Sequence, residues 1–263
     1  MEPIDPLSTS SPSPPPRPRG IYLLPNLFTT GGLFAGFYAI IAATQGHFDH
    51  ACIAIFVAAI LDGLDGRVAR LTNTQSEFGV QYDSLADLIS FGLAPALVMY
   101  HWALFAMALD GVTMRKIGWV AAFLYAACAA LRLARFNSQV GQVDKRWFIG
   151  LASPAAAGLL ASLVWTCFVL GYDGPQLRYL ALAATIAAAL LMVSPVRYFS
   201  FKGGGPKHDR MPFLTVLVIV VVVAAIAIDP PRVLLVITAL YAVSGPLYAA
   251  GRRLRKAPVE PVS

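Results

Sequence analysis

Long apolar runs alternate with short polar breaks along the chain. No Asp, Glu, Lys or Arg occurs in residues 20–48, 88–109, 147–172, 179–196, 211–228 or 233–251. Two shorter apolar runs, 51–61 and 117–131, end in charged residues that a helix can carry to an interface. A helix crosses a bilayer with about 20 apolar residues. The pattern therefore predicts eight membrane spans, near 22–45, 50–70, 83–108, 117–137, 150–171, 178–195, 212–229 and 232–250. Nothing alternates with a period of two, which excludes a membrane barrel. The expected fold is all-α, a polytopic helical bundle. Residues 1–19 are rich in Pro and Ser and offer almost nothing to pack, so a disordered cytoplasmic tail is expected there. They lack the charged, apolar and cleavage regions of a signal peptide. Residues 252–263 read as a basic cytoplasmic tail that meets anionic membrane lipid.

Composition agrees. The 263 residues are 57% hydrophobic and 13% charged, with a mean hydropathy of +0.66. Soluble domains carry about 25% charged residues. The net charge of +6 would suit a nucleic-acid partner, but the placement of the cations does not. Arg115, Lys116, Arg178 and Arg232 fall on one side of the predicted membrane, and the other sixteen Lys and Arg fall on the opposite side. That bias marks orientation: both termini are expected in the cytoplasm, with no nucleic acid bound. Cys52, Cys128 and Cys167 stand far apart in apolar stretches and read as buried side chains. His47, His50 and His101 read as interfacial side chains on the outer side. Gly32 and Gly36 form a GxxxG that allows close helix contact.

The segment from Leu61 to Asp87 breaks the apolar pattern. It carries Asp62, Asp65, Asp83 and Asp87 at or inside the ends of two spans. A charge at mid-membrane costs at least about 2.5–3.5 kcal/mol. Asp62 and Asp65 are spaced i,i+3, and Asp83 and Asp87 i,i+4, so each pair shares a helix face. Packed together, the two helices would gather four carboxylates, which repel unless they share protons or bind cations. Oxygen-only ligation suits Mg²⁺, Mn²⁺ or Ca²⁺, and two such ions would clamp a phosphoryl group. Gly63, Gly66 and Gly79 each cost a helix about 1 kcal/mol against Ala, but they leave room for a bulky ligand beside the acidic face. Arg70 can reach the mouth of the site and hold a phosphate. By charge alone the cluster also fits an ion-coupled transporter. The glycines and Arg70 favour a phosphorylated ligand.

These residues read D-G-L-D-G-R-V-A-R, eight residues, then G-V-Q-Y-D-S-L-A-D. The segment resembles the signature of the CDP-alcohol phosphatidyltransferase family, D-x-x-D-G-x-x-A-R-x8-G-x-x-x-D-x-x-x-D. All eight fixed positions match: Asp62, Asp65, Gly66, Ala69, Arg70, Gly79, Asp83 and Asp87. Segments 21–30, 83–96, 131–137, 148–158 and 191–202 are further similar to the bacterial membrane-embedded branch that uses serine. Ala152 and Pro195 depart from that branch, where Pro and Asn would stand.

The resemblance implies a catalytic membrane domain over residues 20–202, with two additional helices in 203–251. It implies transfer of a phosphatidyl group from CDP-diacylglycerol to L-serine, with release of CMP. Asp62, Asp65, Asp83 and Asp87 would be metal ligands for two divalent ions, and Asp87 also the general base. Gly66, Arg70 and Gly79 would bind the CDP moiety. A homodimer in the bacterial inner (cytoplasmic) membrane is implied as well. The neighbouring alternative is a glycerol phosphate or inositol-type acceptor.

Further candidates lie outside the signature. Asn26 and Thr29 either line the nucleotide site or cap the first helix. Arg132, Arg135 and Arg197 either bind the acceptor or a phosphate, or flank the membrane.

Overall fold

The computed structural model describes residues 23–72, 76–138, 147–199 and 213–255. The predicted N-terminal tail, residues 256–263, and the loop cations Lys145, Arg146, Lys202, Lys207 and Arg210 lie outside the described residues, while residues 252–255 of the predicted C-terminal tail continue the last helix. The chain is a polytopic helical membrane protein. Its helices are α1 (Leu23–Thr44), α2 (Phe48–Leu71), α3 (Glu77–Asp87), α4 (Ala94–Trp102), α5 (Val112–Ser138), α6 (Ser153–Val169), α7 (Arg178–Val193), α8 (Phe213–Ile228) and α9 (Pro230–Arg255). A π-helical turn, Leu88–Leu93, joins α3 to α4 without a break. A 3₁₀ segment, Leu104–Asp110, follows α4. Each of the eight predicted spans thus has its rod, the third being α3, the π turn and α4 together.

Five rods are long and apolar enough to cross a membrane by length and hydropathy: those within 25–44, 77–110, 112–138, 174–193 and 230–251. α6 and α8 are apolar but shorter. The 24 residues of α2 reach roughly 36 Å, and its last turns carry the acidic segment. Large apolar side chains such as Phe34, Val57, Phe123 and Leu180 face outward, as lipid demands.

Small residues set how closely the rods approach. α1 and α2 meet along a seam of Ala35, Ala39, Ala42, Ala51, Ala54 and Ala58, all buried. A Cβ on Gly31 would stand 3.3 Å from Leu61, and one on Gly36 would stand 2.7 Å from the Cα of Ser90. The Ser90 hydroxyl donates to the Gly32 carbonyl at 3.0 Å. The GxxxG therefore packs within the chain, against α2 and the π turn.

The π turn is pinned on both sides. Ser90 holds it to α1, and the Tyr125 hydroxyl of α5 donates to the Phe91 carbonyl at 3.2 Å. The next N–H, of Ala94, bonds Ile89 five residues back. Such a turn carries one residue more than an α turn.

One feature departs from an all-α chain. Strands β1 (Trp147–Ile149) and β2 (Arg197–Phe199) form a short antiparallel ladder, with Phe148 opposite Tyr198. It joins the loop before α6 to the loop after α7. Gly150 turns the chain at φ +80, where a Cβ would overlap the Met192 carbonyl. The two departures from the serine-using pattern fit this geometry. Ala152 has φ −61, the value a proline would impose. Ser194 before Pro195 is extended at ψ 152, as a residue preceding proline prefers.

At the opposite end, two of the four minority cations are neutralised. Arg178 grips Asp110 through two nitrogens, at 2.6 and 2.8 Å, and Arg232 meets Asp229 at 2.9 Å. All three cysteines are buried thiols, as expected.

Candidate active site

The acidic segment forms a helix–turn–helix whose ends are fixed by local chemistry. α2 runs through Asp62 and Asp65 to Leu71. α3 restarts at Ser76, whose hydroxyl accepts the Gly79 N–H at 3.0 Å, a serine N-cap. α3 is then tied on both flanks. The Tyr82 and Thr30 hydroxyls are 2.9 Å apart, linking α3 to α1. Asn137 donates to the Ser84 hydroxyl at 2.9 Å, linking it to α5. Asp83 sits between those two ties and is presented to α2.

The consequence is a small polar cavity in the helix bundle. It is lined by Asp62, Asp65, Asp83 and Asp87, with Thr29, Ser90, Gly32, Ala58, Ala86 and Phe91. Carboxylate oxygens of Asp62, Asp83 and Asp87 lie within 4.8 Å of one another. Among the described residues this is the only group of three His, Cys, Asp or Glu so close. Three anions at that spacing need a cation or shared protons, and hard oxygen donors suit a divalent ion. Asp65 stands apart in one respect. It is buried, at 4% exposure, and its carboxylate accepts the Thr29 hydroxyl at 2.8 Å. The structure thus gives Thr29 a role that neither sequence alternative named: it holds an acidic side chain of the cavity.

The glycines divide. A Cβ on Gly63 or Gly66 would meet nothing within 4 Å, so no packing in the chain requires a glycine at either position. At Gly79 a Cβ would stand 3.1 Å from the Ser76 hydroxyl and 3.6 Å from the Asn26 amide oxygen. The N-cap partly accounts for that glycine, and Asn26 is brought beside it. Arg70 is exposed in the last turn of α2.

Arg132 and Arg135 separate as well. Arg132 turns inward, where its Nη1 donates to the Ser153 hydroxyl at 3.0 Å. It lies within electrostatic range of Asp87. Its Nε–H is buried with no acceptor among the described residues. Arg135 is exposed. The backbone of Arg197 lies in β2, but its side chain lies outside the described residues.

An apolar groove of about 570 Å³ opens between α1 and α2, on the outer surface of the bundle. Its walls include Phe34, Tyr38, Ile53, Val57 and Leu61. Leu61 immediately precedes Asp62, so the groove runs up to the acidic segment.

Comparison with known proteins follows this geometry. Residues 22–196 match the family model described as CDP-alcohol phosphatidyltransferase. A Helicobacter pylori protein named CDP-diacylglycerol–serine O-phosphatidyltransferase is 38% identical over 225 residues, covering 86% of this chain and 90% of its own. A Methanocaldococcus jannaschii protein of the same name is 33% identical over 192 residues, covering 73% and 80%. An archaetidylserine synthase of Methanothermobacter thermautotrophicus is 34% identical over 184 residues, covering 69% and 72%.

Proposed function

Because the chain belongs to the CDP-alcohol phosphatidyltransferase family, we propose that this membrane transferase moves the phosphatidyl group of CDP-diacylglycerol onto the hydroxyl of L-serine, giving phosphatidylserine and CMP. The observation that carries the reading is the meeting of Asp62, Asp83 and Asp87 around one cavity, at the spacing of the family signature. The relatives support serine as acceptor. Their names differ in the lipid and share the serine headgroup.

The donor set fits Mg²⁺ or Mn²⁺, with Ca²⁺ chemically acceptable, since every candidate ligand is a carboxylate. Asp62, Asp83 and Asp87 would hold the metal, with Asp65 the fourth ligand of a two-ion site. When bound, the metal supplies neutralisation of the diphosphate and of the charge that develops on departing CMP. Asp87 accepts the serine hydroxyl proton as the serine oxygen bonds to phosphorus and the phosphorus–oxygen bond to CMP breaks. Arg132 holds the serine carboxylate, and its unmatched buried Nε–H supports that assignment. Gly66 gives the diphosphate access to the α2 backbone, and Arg70 reaches it from the exposed end. Asn26 and Gly79 border the nucleotide. Thr29 acts through Asp65. Arg135 and Arg197 serve the anionic headgroup region.

The apolar groove seats an acyl chain while the polar reactants enter from water. The bias of sixteen cations against four supports cytoplasmic termini and a cytoplasmic active site in a bacterial inner membrane. A homodimer is carried over from the family. The Gly32–Gly36 pair does not contribute to it, because its packing is spent inside the chain.

The test is purified protein with CDP-diacylglycerol, labelled serine and Mg²⁺ or Mn²⁺, run beside glycerol phosphate and inositol phosphate. Serine-dependent CMP release with labelled lipid is expected. CMP with glycerol phosphate alone would end the serine assignment, and failure to release CMP with any acceptor would end the enzyme assignment. Asp87→Asn is expected to insert normally and to lose turnover. Full activity in that variant removes Asp87 from the base role.

A further inference from the structure

α5 runs beside the rod that carries Asp83 and Asp87, and two hydrogen bonds fix their register. The Tyr125 hydroxyl donates to the Phe91 carbonyl at 3.2 Å, and near the end of α5 Asn137 donates to the Ser84 hydroxyl at 2.9 Å. Arg132 stands between those two donors, and Asp87 stands between their two acceptors. Arg132 is also two turns beyond Tyr125, which puts both on one face of α5. The register therefore sets Arg132 at the level of Asp87.

A residue outside the family signature holds its guanidinium. The Nη1 of Arg132 donates to the Ser153 hydroxyl at 3.0 Å. In arginine, Nε–H and Nη2–H form one edge that meets a carboxylate through two parallel hydrogen bonds. This chain uses that edge elsewhere: Arg178 takes Asp110 through Nε and Nη2, at 2.6 and 2.8 Å. With Nη1 on Ser153, the same edge of Arg132 is left for a ligand. Its Nε–H is buried with no acceptor among the described residues, a costly state that an anion on that edge would relieve.

Ser153 is well placed to set this aim. It is fully buried, at 0% exposure. The residues just before it are bonded to the end of α7 and the start of the following loop. The Gly150 N–H donates to the Val196 carbonyl at 2.8 Å, and the Leu151 N–H to the Leu191 carbonyl at 2.9 Å. Nor is its hydroxyl spent on starting α6. A serine that caps a helix occupies the N-cap, but the N-cap here is Ala152, and Ser153 is the first helical residue. A long arginine side chain thus takes its direction from a short hydroxyl that the backbone holds in place.

We infer that Ser153 is a positioning residue for the acceptor: by occupying Nη1 it leaves the Nε–Nη2 edge of Arg132 to the carboxylate of the acceptor alcohol. The inference rests on the reading that Arg132 binds the acceptor.

Ser153→Ala removes the oxygen and is expected to raise the serine KM about tenfold, the loss of one hydrogen bond to a charged group. The KM for CDP-diacylglycerol, kcat and Tm should stay at their wild-type values. Ser153→Cys keeps the shape and offers only a weak acceptor, so it should match Ser153→Ala. Arg132→Lys keeps the charge and lacks the two-pronged edge, so it should raise the serine KM by itself. Adding Ser153→Ala to it should then change that KM by less than about twofold, because Ser153 acts only through the guanidinium. A serine KM within about twofold of wild type in either Ser153 variant overturns the inference. So does an undiminished effect of Ser153→Ala beside Arg132→Lys, or a rise of both KM values as Tm falls, the mark of a structural contact alone. All of these leave the reading of Arg132 intact. That reading fails separately, and takes the inference with it, if the wild-type protein does not use serine or if Arg132→Lys keeps the wild-type serine KM.

Discussion

Thr29→Val is the substitution that isolates one interaction at the acidic cavity. Valine keeps the shape of threonine and removes its hydroxyl. In the native protein that hydroxyl lies 2.8 Å from the Asp65 carboxylate and 3.1 Å from the Pro25 carbonyl. It has one proton, and the shorter, charge-assisted contact takes it. The variant removes the Thr29 donor from Asp65. A hydrogen bond to a charged group contributes about 1.5–3 kcal/mol. At about 1.4 kcal/mol per factor of ten, that is roughly 10- to 150-fold in an equilibrium constant. Groups that orient metal ligands usually contribute about 10- to 100-fold to metal affinity, so two independent arguments give the same range. The assay is Mn²⁺ binding to purified protein followed by electron paramagnetic resonance, with CMP release measured against metal concentration. The Mn²⁺ midpoint should move upward by at least about tenfold, and kcat should largely return at saturating metal. Thr29→Ser, which keeps the donor, should restore the wild-type curve. An unchanged Mn²⁺ midpoint in a folded Thr29→Val protein would refute the reasoning.

Three other outcomes are expected. Gly66→Ala adds a methyl to open space and improves helix propensity by up to about 1 kcal/mol, so Tm should hold or rise while CMP release falls. Gly36→Ala, whose Cβ would press on Ser90, should instead destabilise by about 1–3 kcal/mol, seen as a lower Tm. Arg178→Gln breaks the two-pronged grip on Asp110 at the opposite end of the bundle. It should lower Tm with both KM values unchanged, as measured by thermal unfolding and steady-state kinetics.

The sequence made the rods legible because lipid imposes a length on each apolar run, and eight runs became eight rods. The aspartates were legible for the same reason: charge stands out where so little is tolerated. Other features had no local signal. The role of Thr29 depends on Asp65, 36 positions away, and no spacing rule links them. The π turn occupies L-I-S-F-G-L, which reads as an ordinary apolar helix; its causes, Gly32 and Tyr125, belong to other helices. The short ladder depends on strands 50 positions apart, each too brief to show alternation. Arg132 and Arg135 look equivalent in sequence, yet only Arg132 turns inward. Gly36 reads as a place of close helix contact, and only the structure shows that the approaching element is the π turn, at Ser90.

The π turn has one more consequence, which concerns rotational phase. An α-helix advances about 100° per residue, so residues on its two halves normally keep a fixed angular relation. Asp83 and Asp87 must face the acidic cavity, while Ala94 and Val98 must face the apolar core. The extra residue in Leu88–Leu93 lets each half take its own angle. Winding the same residues as regular α turns would swing the carboxylate half by about 100° away from its partners. The span keeps an irregular turn because a perfect helix would aim half of its acidic site elsewhere.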